Sequence, residues 1–542
     1  MVISTEKKNI EKRLFPPEDL PVPGGVDFSS KSSAEVIKLN SSEASMDKFK
    51  PLYQEQRLLF GMTRENYLAY VSTQIPSDAL SRLVKEVVLL LDTSVIESKY
   101  SSRGQKSYHP KLLLSLLFYG YAIGVRSSRQ LEEKCQRDLH FFFLMDGYHP
   151  DHRTISDFRK ENLSELENFF VQILRIFDKL ELSKVGKIYL DGVKVKANAS
   201  SKRTKDIEGL GKWLKRLEGE VSEILQEAAE LDRLEDEKVV TELDKENLKK
   251  LCQKENLINK IKESLDELEC ESRSQTRINI TDRDAVHMKS GGSKDIRPSY
   301  NCQTSVTEDG VITAAEVTQE HNDRKQLKPM VSRSESNSGQ AVKQLVSDSG
   351  YSSYDNYEYL EKRGIEGYLP DDDFAGFKKG KFNQECNRYH ISNFKYDEEK
   401  DIYICPAGHP LVYIKTLKQT YKTKKWNHKI YQGTLCHQCE YKSLCSKNKR
   451  KPRELRVELR EDLVKSMRAK LLTEKGWQEY FKRYHIIESI FGHFKHNLGY
   501  RQFLLRGLEK VSGEYRLMCI GWNIRKLHKF GVLGRKLKEK LA

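Results

Sequence analysis

A chain of 542 residues is too long for one hydrophobic core, and a soft prior of about 150 residues per domain points to three or four units. Lys and Arg number 94 against 79 Asp and Glu, a net charge of +15. This favours a polyanionic partner, because each phosphate neutralised releases condensed counterions, although ribosome-associated and membrane-surface proteins share such a balance. No stretch approaches the roughly 18 uninterrupted apolar residues of a membrane span, and Met1–Arg13 is charged rather than signal-like. The reading therefore excludes membrane and secreted proteins and expects a soluble, cytoplasmic one, where isolated Cys135, Cys252 and Cys519 stay reduced.

Taken in chain order, residues 1–50 mix Pro, Ser, Lys and Glu without apolar period and read as a flexible arm. From Leu59 to about Ile176 the apolar period is helical, which predicts an all-helical N-terminal domain over 51–180. Within it the spacing predicts two short helices, a turn at Gly147–Pro150, and a third helix opened by a capping box of Thr154 and Asp157. Two readings stay open there: a helix-turn-helix that places Arg153, Arg159 and Lys160 on DNA, or three helices packed for stability with solvated charges. Next comes an apolar run ending at Asp191, in KIYLDGVKVKANAS. A heptad seam of Leu210, Leu214, Leu217, Val221, Ile224, Ala228 and Leu231, then a second at Ile258, Ile261, Leu265 and Leu268, predict an antiparallel helical-hairpin insertion over 203–272. An intermolecular coiled coil is the alternative. Tyr300–Glu320 reads as a β-hairpin turning at Glu308-Asp309-Gly310, followed by a helix over Arg324–Glu335, which Asn322 or Asp323 would cap, and a strand ending at Asp348. Asp282 and Asp284 read as loop or substrate-positioning residues. Residues 354–470 are expected to form a small β-rich, Cys-containing insertion, 471–530 to return to the core begun at 181–353, and 531–542 to form a basic tail.

The order β-β-β-α-β is that of an RNase H-like sheet, so the expected fold is an α/β RNase H-like catalytic core with a mixed sheet and the insertions above. Asp191 and Asp348 each follow an apolar run and precede small residues, while Glu488 lies in the helical pattern EYFKRYHIIESIFGHFKHNLGYR. Singly, each is an ordinary turn or surface residue. Together, two strand-end carboxylates and a helical one suit hard cations that take oxygen ligands and assist phosphoryl displacement. Cys405 in CPAGH and Cys436, Cys439 and Cys445 in CHQCEYKSLC offer four soft ligands, so structural Zn2+ or reduced, metal-free cysteines are both open.

The segments YLDGVKVKANAS, SDSGY and YHIIESIFGHFKHNLGYRQFLLRGLEKVSGEYRLMCIGWNIRKL resemble the DDE transposases of bacterial insertion sequences, over roughly residues 55–530. The resemblance implies an enzyme of DNA recombination that binds terminal inverted repeats of its element, cleaves with Mg2+ (Mn2+ substituting), joins the freed 3′ hydroxyl to target DNA, and works as a homodimer on DNA at the nucleoid. It implies Asp191, Asp348 and Glu488 as the catalytic, metal-binding triad, and Tyr480, Arg483 and Lys495 as DNA-binding residues of a YREK-like signature. Here Arg483 and Glu488 stand one residue further apart than in its commonest form. Arg501 and Arg506 follow as further DNA contacts. A DDE-type nuclease without strand transfer, and a catalytically inactive DNA-binding relative, are the alternatives.

Overall fold

The structure, a computed structural model, describes residues 64–101, 106–234, 242–270, 276–289, 295–421, 424–446, 448 and 450–532. The arm expected over 1–50, the helical start at Leu59 and nearly all of the tail expected over 531–542 lie outside the described residues. The protein is mixed α/β, with a helical N-terminal region.

That region holds α1 (Arg64–Gln74), α2 (Leu80–Leu90), α3 (Ser94–Glu97), α4 (Pro110–Ile123), α5 (Ser128–Arg137), α6 (Leu139–Leu144), α7 (His152–Glu161) and α8 (Glu165–Lys179). In α4 the sequence PKLLLSLLFYGYAI is apolar on every side, so the helix is buried all round. Pro110 at its first turn forfeits no helical hydrogen bond, and Gly124 ends it at φ +89, a left-handed conformation glycine adopts without strain. The capping box expected at Thr154 and Asp157 does not form. Asp151 caps α7 instead, its Oδ1 accepting from Thr154 N at 2.6 Å, because Asp151 has the extended backbone an N-cap needs.

A six-stranded sheet follows. β1 (Lys187–Lys196) runs antiparallel to β5 (Ile296–Thr307) and parallel to β7 (Gln344–Ser347), and β7 is parallel to β8 (Glu366–Tyr368). The far edge of β5 pairs with β4 (Val286–Lys289) and then β6 (Ile312–Thr318), so the order across is β6–β5–β1–β7–β8. Both faces of β1 are covered. Ile188 and Leu190 join one apolar cluster, and Tyr189, Val193 and Val195 the other. Asp191 does not end the strand as expected: β1 continues to Lys196, because the long β5 supplies partners as far as Ser299. The hairpin turns at Gly310, φ +79.

Between β1 and β4 the chain makes the short pair β2 (Thr204–Lys205) and β3 (Ile278–Asn279), with α9 (Ile207–Leu234) and α10 (Glu242–Glu269) between them. These helices pack on each other through Leu210, Leu217, Ile258, Ile261 and Leu268, and Lys254 meets Glu220 while Lys262 meets Glu218 at 3.6 Å, an antiparallel register. Apolar burial within one chain thus satisfies the heptad seam where its side chains are described; the expected seam positions Ala228 and Leu231 lie outside them.

After α11 (Leu327–Ser338), β7, α12 (Tyr354–Lys362) and β8, the short helices α13 (Phe374–Lys378) and α14 (Gln384–Asn387) lead to a second sheet of β9 (Lys395–Asp397), β10 (Ile402–Ile404), β11 (Pro410–Tyr421), β12 (Lys424–Gly433) and β13 (Glu454–Glu458), with α15 (Lys442–Cys445) before β13. The β-rich segment is therefore narrower than 354–470. Tyr357, Leu360, Ile365 and, on α16 (Glu461–Leu472), Val464 bury against Ile188 and Leu345 of the main sheet, which draws both ends of that span into the central body.

The chain closes with α17 (Glu474–Gly492), a π-helical turn His493–Asn497, and α18 (Leu508–Lys529). Among the described residues no helix is long and apolar enough to cross a membrane. α18 joins the N-terminal helices to the sheet: Asn523 bonds both N and O of Ile312, and Arg126 Nη1 donates to the fully buried Glu514 at 2.9 Å. At Gly521 an added Cβ would stand 2.8 Å from Ala122 N and 3.0 Å from its Cα, backbone that cannot step aside. Gly521→Ala is expected to destabilise the protein by about 1–3 kcal/mol, the usual cost of overpacking. Urea unfolding measures this, and wild-type stability in the variant would show that α4 and α18 separate freely.

Candidate functional site

Strand pairing places the first two acids. Leu190 of β1 lies opposite Ser347 of β7, so Asp191 and Asp348 follow side by side at the next positions of parallel neighbours. Asp348 caps the 3-10 turn Ser349–Tyr351, its Oδ1 accepting from Gly350 N at 3.0 Å, and Asp191 Oδ1 accepts from Gly192 N at 2.8 Å. The third acid comes from α17, which Thr473 caps by accepting from Gly476 N and which buries Ile487, Ile490 and Phe491 against the sheet. That packing leaves Glu488 at the rim, its side chain 38 % exposed, whereas Asp191 is buried.

Arg483 links them. Its Nη1 donates to Asp191 Oδ2 at 2.8 Å and its Nη2 to Glu488 Oε1 at 3.0 Å. The extra residue between Arg483 and Glu488 therefore leaves Arg483 on the acids, while Tyr484 points to solvent. Burial pushes the Asp191 carboxyl up to about 7; Arg483 opposes the rise, and Asp348 and Glu488 add to it. Asp348 is raised by burial too, again opposed by Arg483 and reinforced by Asp323 and Glu488. Burial alone would lower the Arg483 guanidinium, but Asp191, Tyr480, Asp348 and Glu488 hold it above its ordinary value. Lys495, on the π-helical turn, is lowered by burial although Asp191 attracts its charge. Tyr480 lies 5.7 Å under Arg483, and burial raises its hydroxyl.

The structure thus brings Asp191, Asp348, Glu488, Tyr480, Arg483 and Lys495 together. Arg501 and Arg506 are exposed and bond the main-chain oxygens of Lys495 and Asn198, at 3.1 and 2.9 Å, so they flank the cluster without touching the acids. Arg153 is exposed on α7. Arg159, expected on DNA, is buried: its Nη1 donates to Tyr121 Oη at 3.1 Å and to the Arg126 carbonyl at 3.0 Å, binding α7 to α4. Asp282 and Asp284 hold the start of α18, accepting from Gly507 N and Leu508 N at 3.1 and 2.8 Å. The four cysteines 405, 436, 439 and 445 are free thiols lining one small cavity in the second sheet.

Asp323 is the residue that sequence reasoning misplaced. It does not cap α11, which starts at Leu327 after Gln326. Its Oδ1 accepts from Asn301 Nδ2 at 2.7 Å and Gln303 Nε2 at 2.6 Å, and Tyr351 bonds the Gln303 carbonyl in turn. A fourth carboxylate is thereby held beside Asp348. A Cβ on Gly192 would stand 2.8 Å from Asp323 Oδ1, and one on Gly350 3.2 Å from its Oδ2, so both glycines leave room for it. The signal was present in Asn301 and Gln303, alternate amides on a buried strand that need polar partners.

Four carboxylates offer hard oxygen donors that suit a divalent cation. As they stand, no group of three or more His, Cys, Asp or Glu among the described residues is arranged to hold a metal ion; at the acids the Arg483 guanidinium supplies the balancing charge.

The family model described as "Transposase DDE domain" matches residues 404–528, and one described as "Transposase domain (DUF772)" matches residues 69–161. The first span contains Arg483, Glu488 and Lys495 but neither aspartate. No curated protein and no solved structure matches the chain.

A pH dependence follows from Asp191. Its carboxyl is raised in the folded protein above the 3.8 of an ordinary aspartate, so its contribution to stability is present at low pH and is lost as pH rises from about 4 through about 7. In chelator-containing buffer, the unfolding free energy of wild type minus that of Asp191→Asn is expected to fall across that window and level off above it. A rise instead would mean that Arg483 outweighs burial.

Proposed function

We propose that this chain is an insertion-sequence DDE transposase, the reading its two transposase-domain matches support, and that it binds the terminal inverted repeats of its element and catalyses divalent-metal-dependent DNA strand cleavage and strand transfer at Asp191, Asp348 and Glu488. The observation that carries the reading is the meeting of two aspartates on neighbouring parallel strands with a helical glutamate, bridged by one arginine. The strand order β6–β5–β1–β7–β8, with β5 antiparallel to β1, supports an RNase H-like core.

The donor set fits Mg2+, with Mn2+ as substitute: oxygen ligands only, with Asp348 and Glu488 adding to the rise of the Asp191 carboxyl and Asp323 and Glu488 to that of Asp348, so that an added cation is favoured. Asp191, Asp348 and Glu488 would hold it. When bound, such a cation offsets the negative charge that develops in phosphoryl transfer. Arg483 must release Asp191 or Glu488 for a cation to take both, and its freed guanidinium then lies beside the acids, placed to grip a phosphate oxygen in a forked hydrogen bond. Lys495, lightly solvated and beside Asp191, adds a second positive charge at the same place. Tyr480 keeps Arg483 over its ring.

Duplex DNA would extend from the acids across Arg501 and Arg506, exposed just beyond the π-helical turn. Arg153 and Lys160 are the exposed candidates in the helical region, and a homodimer on DNA would bring two ends together. Arg159 serves packing and leaves this set.

The test is cleavage and joining of DNA carrying the sequences that flank the gene. Asp191→Ala, Asp348→Ala and Glu488→Ala are each expected to lower Mg2+-dependent cutting by on the order of a thousandfold, as loss of several kcal/mol of charge stabilisation requires, while DNA binding persists. Wild-type cutting by any of the three would remove that residue from the site, and cutting without joined product would favour a nuclease. In a separate binding titration, Arg501→Ala and Arg506→Ala should each weaken duplex binding and reduce the salt slope by about one. An unchanged slope would take these arginines off the phosphates.

A further inference from the structure

The second sheet is a small body with little apolar interior. Its buried cluster consists of Phe394, Tyr403, Leu411, Tyr431 and Leu455, and Cys405 and Cys445 pack against its edge. A core of that size rarely stabilises a module by itself, and small modules are commonly stapled by disulfides or a structural metal.

Four thiols meet at that edge from three separate segments. Cys405 follows β10, Cys436 and Cys439 lie in the loop after β12, and Cys445 ends α15. All four line one cavity of about 20 Å³, room for a water or a single ion. Two of the sulfurs already accept backbone N–H groups, Cys405 from His409 and Cys436 from Arg453, both at 3.4 Å. The turn that aims the first of them is tight: Gly408, at φ +86, bonds back to the Cys405 carbonyl. At the second, Cys436 Sγ lies so close to Gly433 that any side chain there would displace it.

We propose that Cys405, Cys436, Cys439 and Cys445 bind one Zn2+ ion in a closed structural site, which clamps the β10–β11 turn to the β12–β13 connection. Four soft sulfur ligands match the tetrahedral preference of zinc and leave no open position for catalysis. As the side chains stand the four sulfurs do not form a ligand set, so the proposal requires the thiols to turn toward one another between staggered rotamers. The site is independent of the acid cluster, and its existence does not rest on the activity proposed above.

The full chain, purified under reducing conditions, is assayed by elemental analysis and by titration with Co2+. The expected results are about one zinc per chain, intense thiolate-to-cobalt absorption with tetrahedral visible bands, and a melting temperature lowered by a strong chelator. A Cys436→Ser/Cys439→Ser protein should lose the zinc, and Cys252→Ser, altered at an exposed position on α10, should keep it. Wild type that carries no zinc and gives no thiolate–cobalt bands would overturn the proposal, whether its cysteines are free or joined in disulfides. Zinc retained by the double variant would overturn it equally. Because the cobalt spectrum is read on wild type, the result stands even if the serine variants misfold.

Discussion

Charge repulsion among carboxylates crowded at the edge of a buried sheet is the constraint on which this structure turns. Asp191 and Asp348 sit on adjacent parallel strands, Asp323 is held beside Asp348, and Glu488 faces them from α17. Burial makes each negative charge costly, and no arrangement of acids alone relieves that cost. Arg483 does so in this state by bonding Asp191 and Glu488 together. The position of α17 over the sheet is thereby tied to the electrostatics of the site: the apolar residues Ile487, Ile490 and Phe491 set its depth, and the guanidinium sets which face meets the acids.

The same logic of buried charge recurs where the N-terminal helices join the central body. Glu514 is fully buried on α18 and accepts from Arg126 and from the backbone of Leu504 and Leu505. Such a pair adds little net stability, but removing one partner strands the other and typically costs about 3–5 kcal/mol. Its effect is registry. It fixes the loop carrying Arg501 and Arg506 against α18, and the close approach of Gly521 to Ala122 fixes α18 against α4. Exposed arginines thus stand on a rigid base beside the acids rather than on a free loop.

The two insertions leave this centre undisturbed because each is built on its own interior. The α9–α10 pair buries its leucine and isoleucine seam within itself, and the β9–β13 sheet has a separate aromatic cluster. Their attachment points are short, the β2–β3 pair in one case and the approach through α13 and α14 in the other.

Sequence alone determined the features that depend on neighbours in the chain. The apolar runs before Asp191 and Asp348, the hairpin turn at Gly310, the heptad seams and the helix around Glu488 are written in local periodicity, so the three acids were legible as candidates, and the resemblance to DDE transposases added Tyr480, Arg483 and Lys495. Tertiary structure decided everything that depends on residues distant in sequence. Arg483 meets Asp191 across 292 positions, Asp323 acquires its role only when Asn301 and Gln303 face it, and Arg159 is withdrawn from the surface by Tyr121 and Arg126. A charged side chain reads the same in sequence whether it meets water, a buried partner or a ligand. Only the packing that brings the partner decides among them, because the cost of burying a charge is settled by what stands within a few ångströms of it.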